Sequence, residues 1–161
     1  SYFIYQVQSA GFDISAGREV NILQRRTIRE VMESKYYTID PDANLKAIEQ
    51  ALRKNSDADL YVTEKNGQLL GNITLAAAWD ALRNGGGKTA RDLAHMPEHW
   101  LTEATDLNRG FEVIEKFVGI SVPVVNNTED MRLTGIIHEA NVIQAYNQAV
   151  KEARGEEQGL D

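Results

Sequence analysis

Apolar positions recur in one order twice along this chain. Leu45, Ile48 and Leu52 stand at i, i+3 and i+7, the spacing that lays side chains along one helix face. The run 60–63 reads as a short strand. Asn66-Gly67 reads as a two-residue hairpin turn in which both positions tolerate positive φ, and 69–74 reads as the returning strand. Leu75, Ala78, Trp79 and Leu82 then mark a second amphipathic helix, which the three glycines 85–87 end. Further on the order repeats. Leu107, Phe111, Ile114 and Val118 make a helical stripe, 122–126 and 133–138 make a strand pair, and Ile143, Tyr146 and Val150 belong to a closing helix. Asp40-Pro41 offers a start for the first helix, with Asp as cap and Pro at the first helical position.

The repetition extends to individual residues. Thr27-Ile28-Arg29-Glu30-Val31-Met32 matches Thr89-Ala90-Arg91-Asp92-Leu93-Ala94 at an offset of 62. Asp59-Leu60-Tyr61-Val62 aligns with Val122-Pro123-Val124-Val125 at 63, and Leu70-Gly71-Asn72-Ile73-Thr74 with Thr134-Gly135-Ile136-Ile137-His138 at 64. Three matches in order, with an offset that grows in loops, indicate a diverged duplication.

The predicted fold is α/β (α+β): two β-α-β-β-α units related by a pseudo-twofold axis. A unit of about 60 residues buries too little surface alone, so the two should pack sheet against sheet. The expected division is a connector over 1–26 with a short helix at Tyr2–Gln8, a first unit over 27–86, a second over 87–152, and a flexible tail over 153–161. Packing similar units leaves a cleft on each side of the axis, a natural place for a small ligand.

Composition narrows the function classes. Hydrophobic residues make up 42% of the 161 and charged residues 25%, an ordinary globular mixture. The net charge of −7 and the lack of a long basic run argue against a nucleic-acid partner. With no cysteine there is no disulfide framework, thiolate metal site or thiol nucleophile, which fits a reducing compartment. No stretch approaches the roughly 18–20 apolar residues that cross a bilayer, since the best run, 75–79, stops at Asp80. The chain starts at Ser1 rather than at a methionine, as a piece of a longer protein would.

The duplicated pattern resembles a tandem pair of cystathionine-β-synthase-type (CBS) domains, the Bateman module, from about Arg26 to Lys151. Its markers are 27–32 before the first copy, Ser121-Val122-Pro123-Val124-Val125 opening a strand, and Leu133-Thr134-Gly135-Ile136-Ile137 closing the hairpin. A narrower stretch, Gly11-Phe12-Asp13-Ile14 followed by Gly17 to Leu23, is similar to the segment that joins the membrane domain to the CBS pair in bacterial CLC-type chloride channels and chloride/proton exchangers. The resemblance implies a regulatory module rather than an enzyme. It would lie on the cytoplasmic side of the inner membrane, joined to a membrane domain of the same polypeptide and paired as a homodimer.

Nucleotide-sensing CBS pairs carry Gly-x-x-Thr/Ser-x-x-Asp at a strand-to-helix junction, where the carboxylate accepts both ribose hydroxyls and the helix N-terminus favours phosphate. Here the first copy reads Gly71 to Ala77, keeping the hydroxyl as Thr74 but placing Ala77 where the aspartate belongs. The second reads Gly135 to Asn141, with His138 for the hydroxyl and Asn141 for the aspartate. The residues implied to bind a ligand are Thr74, Val122, Pro123, His138 and Asn141, and the ligand is AMP, ADP or ATP bound weakly. Poorly paired ribose hydroxyls cost about 1–3 kcal/mol. The plainer alternative is that His138 and Asn141 only cap the last helix. On that view the clefts have decayed and the chain is a structural dimerisation module. A third reading is a CBS pair from another transporter or enzyme.

Other signals carry less. Gly85-Gly86-Gly87-Lys88-Thr89 lacks the first glycine of a phosphate-binding loop, where Leu82 stands, and follows a helix instead of a strand, so a hinge is expected. His95 and His99 stand at i, i+4, but Pro97 between them argues for a loop rather than a zinc-binding helix. Asp57, Asp59 and Glu64 read as polar turn residues without a base or nucleophile beside them, and Trp79 as core or dimer interface. Two glycosylation sequons, at Asn72 and Asn126, would not meet their machinery in the cytosol.

Overall fold

The computed structural model of the chain describes residues 18–158. The helix expected at Tyr2–Gln8 and the first part of the Gly11–Leu23 segment lie outside the described residues. The described chain opens with α1 (Arg18–Arg25) and a single 3-10 turn, Ile28–Glu30. The first unit runs β1 (Tyr37–Ile39), α2 (Leu45–Lys54), β2 (Leu60–Thr63), β3 (Leu69–Ile73) and α3 (Leu75–Asn84). A short α4 (Ala90–Leu93) leads to the second: β4 (Leu101–Thr102), α5 (Leu107–Lys116), β5 (Val122–Val125), β6 (Leu133–Ile137) and α6 (Glu139–Gln158). Both halves follow the expected β-α-β-β-α order, each with a three-stranded sheet whose middle strand pairs parallel with the first and antiparallel with the third.

Each sheet is apolar on both faces because each face is covered. Leu60, Val62 and Ile73 face α2 and α3, while Val122, Val124 and Ile137 face α5 and α6. The opposite faces meet as Tyr61 and Leu69 from one sheet against Val125, Leu133 and Ile136 from the other. The expected sheet-on-sheet contact is therefore present.

Several local expectations give way to neighbouring chemistry. The first helix starts at Leu45, not at Pro41, because Asn44 caps it by accepting from the Ala47 N–H at 2.9 Å; Asp40 instead accepts from Asp42 in a turn. In the first hairpin the Gly67 N–H donates to Glu64 O, and Gly67 alone takes positive φ, so Asn66 does not share the left-handed geometry expected of it. The copies also align differently at the central strand. Leu60 pairs with Ile73 and Val122 with Ile137, so Leu60 matches Val122 at an offset of 62 rather than 63. The whole increase to 64 falls in the second hairpin, which is two residues longer. Finally, α6 continues through Gln158 and buries Ala153 to 2% exposure, so helix occupies much of the stretch expected as a tail.

The segments that lead into each unit dock on the other one. Ile28 and Arg29 donate their N–H groups to Thr105 and Glu103 of the second unit, at 2.8 and 3.1 Å. Ala90 and Arg91 donate to Ala43 and Pro41 of the first, at 2.9 and 2.8 Å. Each leader then forms a two-bond antiparallel bridge, Glu33 with Ile136 and His95 with Asn72. Both carry a carboxylate that accepts from the N–H and hydroxyl of a capping threonine, Glu30 from Thr27 and Asp92 from Thr89. These bonds, the backbone N–H of the threonine first, hold both carboxyls below their ordinary pKa. Every bond in this set has its counterpart 62 or 64 residues on, which is the pseudo-twofold relation expressed in hydrogen bonds.

The leader's close approach explains the glycine in mid-strand. Gly71 sits at φ 144°, and a Cβ there would lie 2.5 Å from the backbone carbonyl of His95. Gly71→Ala is expected to cost about 2–4 kcal/mol in urea unfolding. Gly87→Ala, which would meet nothing within 4 Å, should stay within about 0.5 kcal/mol.

Candidate ligand clefts

Two clefts open between the units, and both are lined by Ala58 and Asp59. The larger, about 310 Å³, lies between the first unit's Tyr36, Tyr37 and Asp57 and the second unit's Ser121, Ile136 and His138, with Glu33 and Lys35 of the crossing leader on its rim. The smaller, about 240 Å³, is lined by Asn55 and Ser56 after α2, by Asn72 and Thr74 at the end of β3, and by Ile120.

Between the clefts stands a polar contact on the pseudo-twofold axis. Asp59 and Ser121 are equivalent residues, 62 apart, and they bond to each other. The Ser121 N–H and hydroxyl both donate to Asp59 Oδ2, at 2.9 and 2.6 Å. With its hydrogen given to the carboxylate, the Ser121 oxygen accepts from the Tyr61 hydroxyl at 2.7 Å. Burial pushes the Tyr61 phenol well above its ordinary pKa, the serine contact offsetting this in part, so it remains a donor. At the other end of the axis Leu69 donates to Met131 O and Leu133 to Gly67 O, at 2.8 and 3.0 Å, again a reciprocal pair.

The sequence-derived candidates divide between the clefts. Thr74 lines the smaller, where its hydroxyl oxygen caps α3 by accepting from the Ala77 N–H at 3.1 Å. His138 lines the larger. Its Nε2 stands 3.0 Å from the Glu33 carboxylate, and its Nδ1 is 3.1 Å from Ile120 O. Asn141 turns its side-chain oxygen back onto the His138 N–H at 2.7 Å, the helix-capping arrangement of the plainer alternative. Val122 and Pro123 lie in buried β5, Val122 facing the second unit's core, and neither is among the lining residues of the two clefts. Glu33, Tyr36, Tyr37 and the Asp59–Ser121 pair carry no motif in the sequence that marks them as site residues. The 62-residue offset, applied to Asp59, leads directly to Ser121.

Among the described residues no group of His, Asp and Glu is placed to hold a metal ion, and His95 and His99 lie outside any helix. No helix among them is long and apolar enough to cross a membrane.

The CBS domain pattern matches residues 28–77 and 100–148, one stretch in each unit. The chain belongs to the CBS domain family. Its solved neighbours include CBSX2 of Arabidopsis thaliana in complex with AMP, 22% identical over 78% of this chain and 98% of that one, with a TM-score of 0.61. OpuCA of Staphylococcus aureus is 26% identical, covering 74% of this chain and 98% of its own, with a TM-score of 0.62. The cytosolic domain of the Mg2+ channel MgtE in complex with ATP is 19% identical, covering 78% of this chain and 52% of that one, with a TM-score of 0.60. No curated protein sequence matches closely enough to refine the family assignment.

The axial contact lends itself to a double-mutant cycle. Ser121→Ala should cost about 1–3 kcal/mol in urea unfolding, because it removes the hydroxyl that donates to the partly buried Asp59 carboxylate and accepts from Tyr61, leaving Asp59 only the residue-121 backbone N–H. Tyr61→Phe should cost less, and the double variant less than the sum.

Proposed function

We propose that this CBS pair is the cytoplasmic regulatory module of a CLC-type chloride channel or chloride/proton antiporter, and that its larger cleft takes an adenosine-containing ligand weakly. The observation that carries the ligand reading is the cleft itself. It sits between the units, joins two tyrosines of one to the helix start of the other, and has the volume of a small-ligand site. AMP in CBSX2 and ATP in MgtE support adenosine as the common recognition element. The motif departures make the binding weak, because Asn141 has its oxygen committed to the helix cap and Ala77 offers none.

The transporter reading rests on the Gly11–Leu23 resemblance and gains a physical route from α1. Ile22 and Leu23 are buried in the second unit's core, and α1 packs along α6 and against α5. A ligand that prefers one arrangement of the two units therefore biases the position of α1, and through it whatever precedes the helix. The regulatory role, the attachment to a membrane domain and the inner-membrane location belong to this proposal. Thermal unfolding with millimolar AMP, ADP, ATP and adenosine tests the ligand reading. A ligand at 100 times its Kd stabilises by about 2.7 kcal/mol, whereas no shift with any of them overturns it.

One observation favours the dimerisation role as a second reading. Trp79 is 52% and Leu75 59% exposed, so α3 turns Ala78 and Ala81 inward and leaves outward a stripe expected to be partly core. The equivalent face of the second unit, 64 residues on, carries Ile143 and Tyr146 and is covered by α1. On the first unit a shallow groove of Leu52, Leu75, Trp79 and Leu82 stays open beside the Glu49–Arg53 ion pair. A second copy turned by a twofold axis would bring each Glu49 towards the other's Arg53. Sedimentation should show a dimer that Trp79→Ser loosens at least tenfold; a native monomer at 100 times the assay concentration would end this reading.

A further inference from the structure

The larger cleft has a charge that its family membership does not dictate. Three carboxylates, Glu33, Asp57 and Asp59, line it against one ammonium, Lys35. Asp59 is partly compensated by the two Ser121 donors and Glu33 stands 3.0 Å from His138 Nε2, while Asp57 is an exposed side chain at the mouth. The start of α6, where free N–H groups would otherwise favour a phosphate, already has Glu139 as its first residue and Asn141 folded back over the His138 N–H. A phosphate entering here would meet carboxylates on the leader and on the turn before β2. The one ammonium available sits on the same leader as Glu33.

From this we infer that the cleft selects an uncharged or cationic ligand over an anionic one: a nucleoside, or a nucleoside carrying a sulfonium, rather than a nucleoside phosphate. The inference rests on the adenosine reading proposed above and sharpens it. Tyr36 and Tyr37 supply aromatic surface for a base, and the roughly 310 Å³ volume suits a nucleoside without a phosphate chain. The rim carboxylates attract a positive group and repel a phosphate, in a half-open cleft where salt screens both effects. The same adenosine moiety thus binds with opposite salt dependence according to what its 5′ carbon carries.

Titration calorimetry of the full chain with adenosine, S-adenosylmethionine, AMP and ATP, at low and at high salt, tests this. Adenosine and S-adenosylmethionine should bind roughly tenfold or more tightly than AMP and ATP at low salt. Added salt should tighten AMP and weaken S-adenosylmethionine. The double variant Glu33→Gln with Asp57→Asn should bring AMP to within about threefold of adenosine, and circular dichroism checks that it folds. AMP or ATP binding more tightly than adenosine, with salt weakening them, overturns the charge inference and leaves the adenosine reading standing. Binding of none of the four overturns both.

Discussion

A three-stranded sheet with two helices can cover only one of its faces, and here both faces of each sheet are apolar. Tyr61, Leu69, Val125, Leu133 and Ile136 have no helix of their own to cover them. They are buried only because the second sheet turns its own uncovered face towards them. The placement of both clefts, the contact between Asp59 and Ser121, and the course of the two leaders follow from that arrangement. The burial is non-directional, so it does not by itself set how the sheets are oriented. Orientation comes from the paired backbone bonds at Glu33 with Ile136, His95 with Asn72, and Leu69 with Met131, which permit one alignment.

The candidate surfaces sit where the twofold relation is broken. Asp59 faces Ser121 instead of a second aspartate, which turns a repulsion between equivalent positions into a charge-assisted hydrogen bond. His138 replaces Thr74 at the start of the closing helix, and the two clefts differ in charged lining and in volume. On the outer faces, among the described residues, α1 covers one helix pair and no element covers the other. A symmetric ancestor would have offered two equal clefts and two equal faces. In this chain the members of each pair differ.

The fold was largely legible because duplication writes every signal twice. The strand pairs, the closing helices and the sheet contact all follow from periodicity read in two copies. What escaped depends on contacts between distant segments. Pro41 looked like a helix start until Asn44 competed as cap. Trp79 reads as core or dimer interface because the stripe it belongs to is real, and the core alternative fails because the helix rolls to bury Ala78 and Ala81 against α2. At the site, Thr74 and His138 were reachable through a local motif at a strand-to-helix junction. Glu33 is not, because it reaches the cleft on a leader that crosses to the other unit, and no spacing within one copy announces a crossing.

That crossing has an evolutionary corollary. The stretch of chain that was copied is not the body that packs in space, since Thr27–Glu33 completes the second unit and Thr89–His95 the first. A lone ancestral copy would therefore have carried an arm that fits a neighbour better than itself. Two such chains would exchange arms and stand as a pair held together by mass action. Tandem fusion made that partnership intramolecular, with the glycines at 85–87 as the tether, and so freed it from dependence on protein concentration.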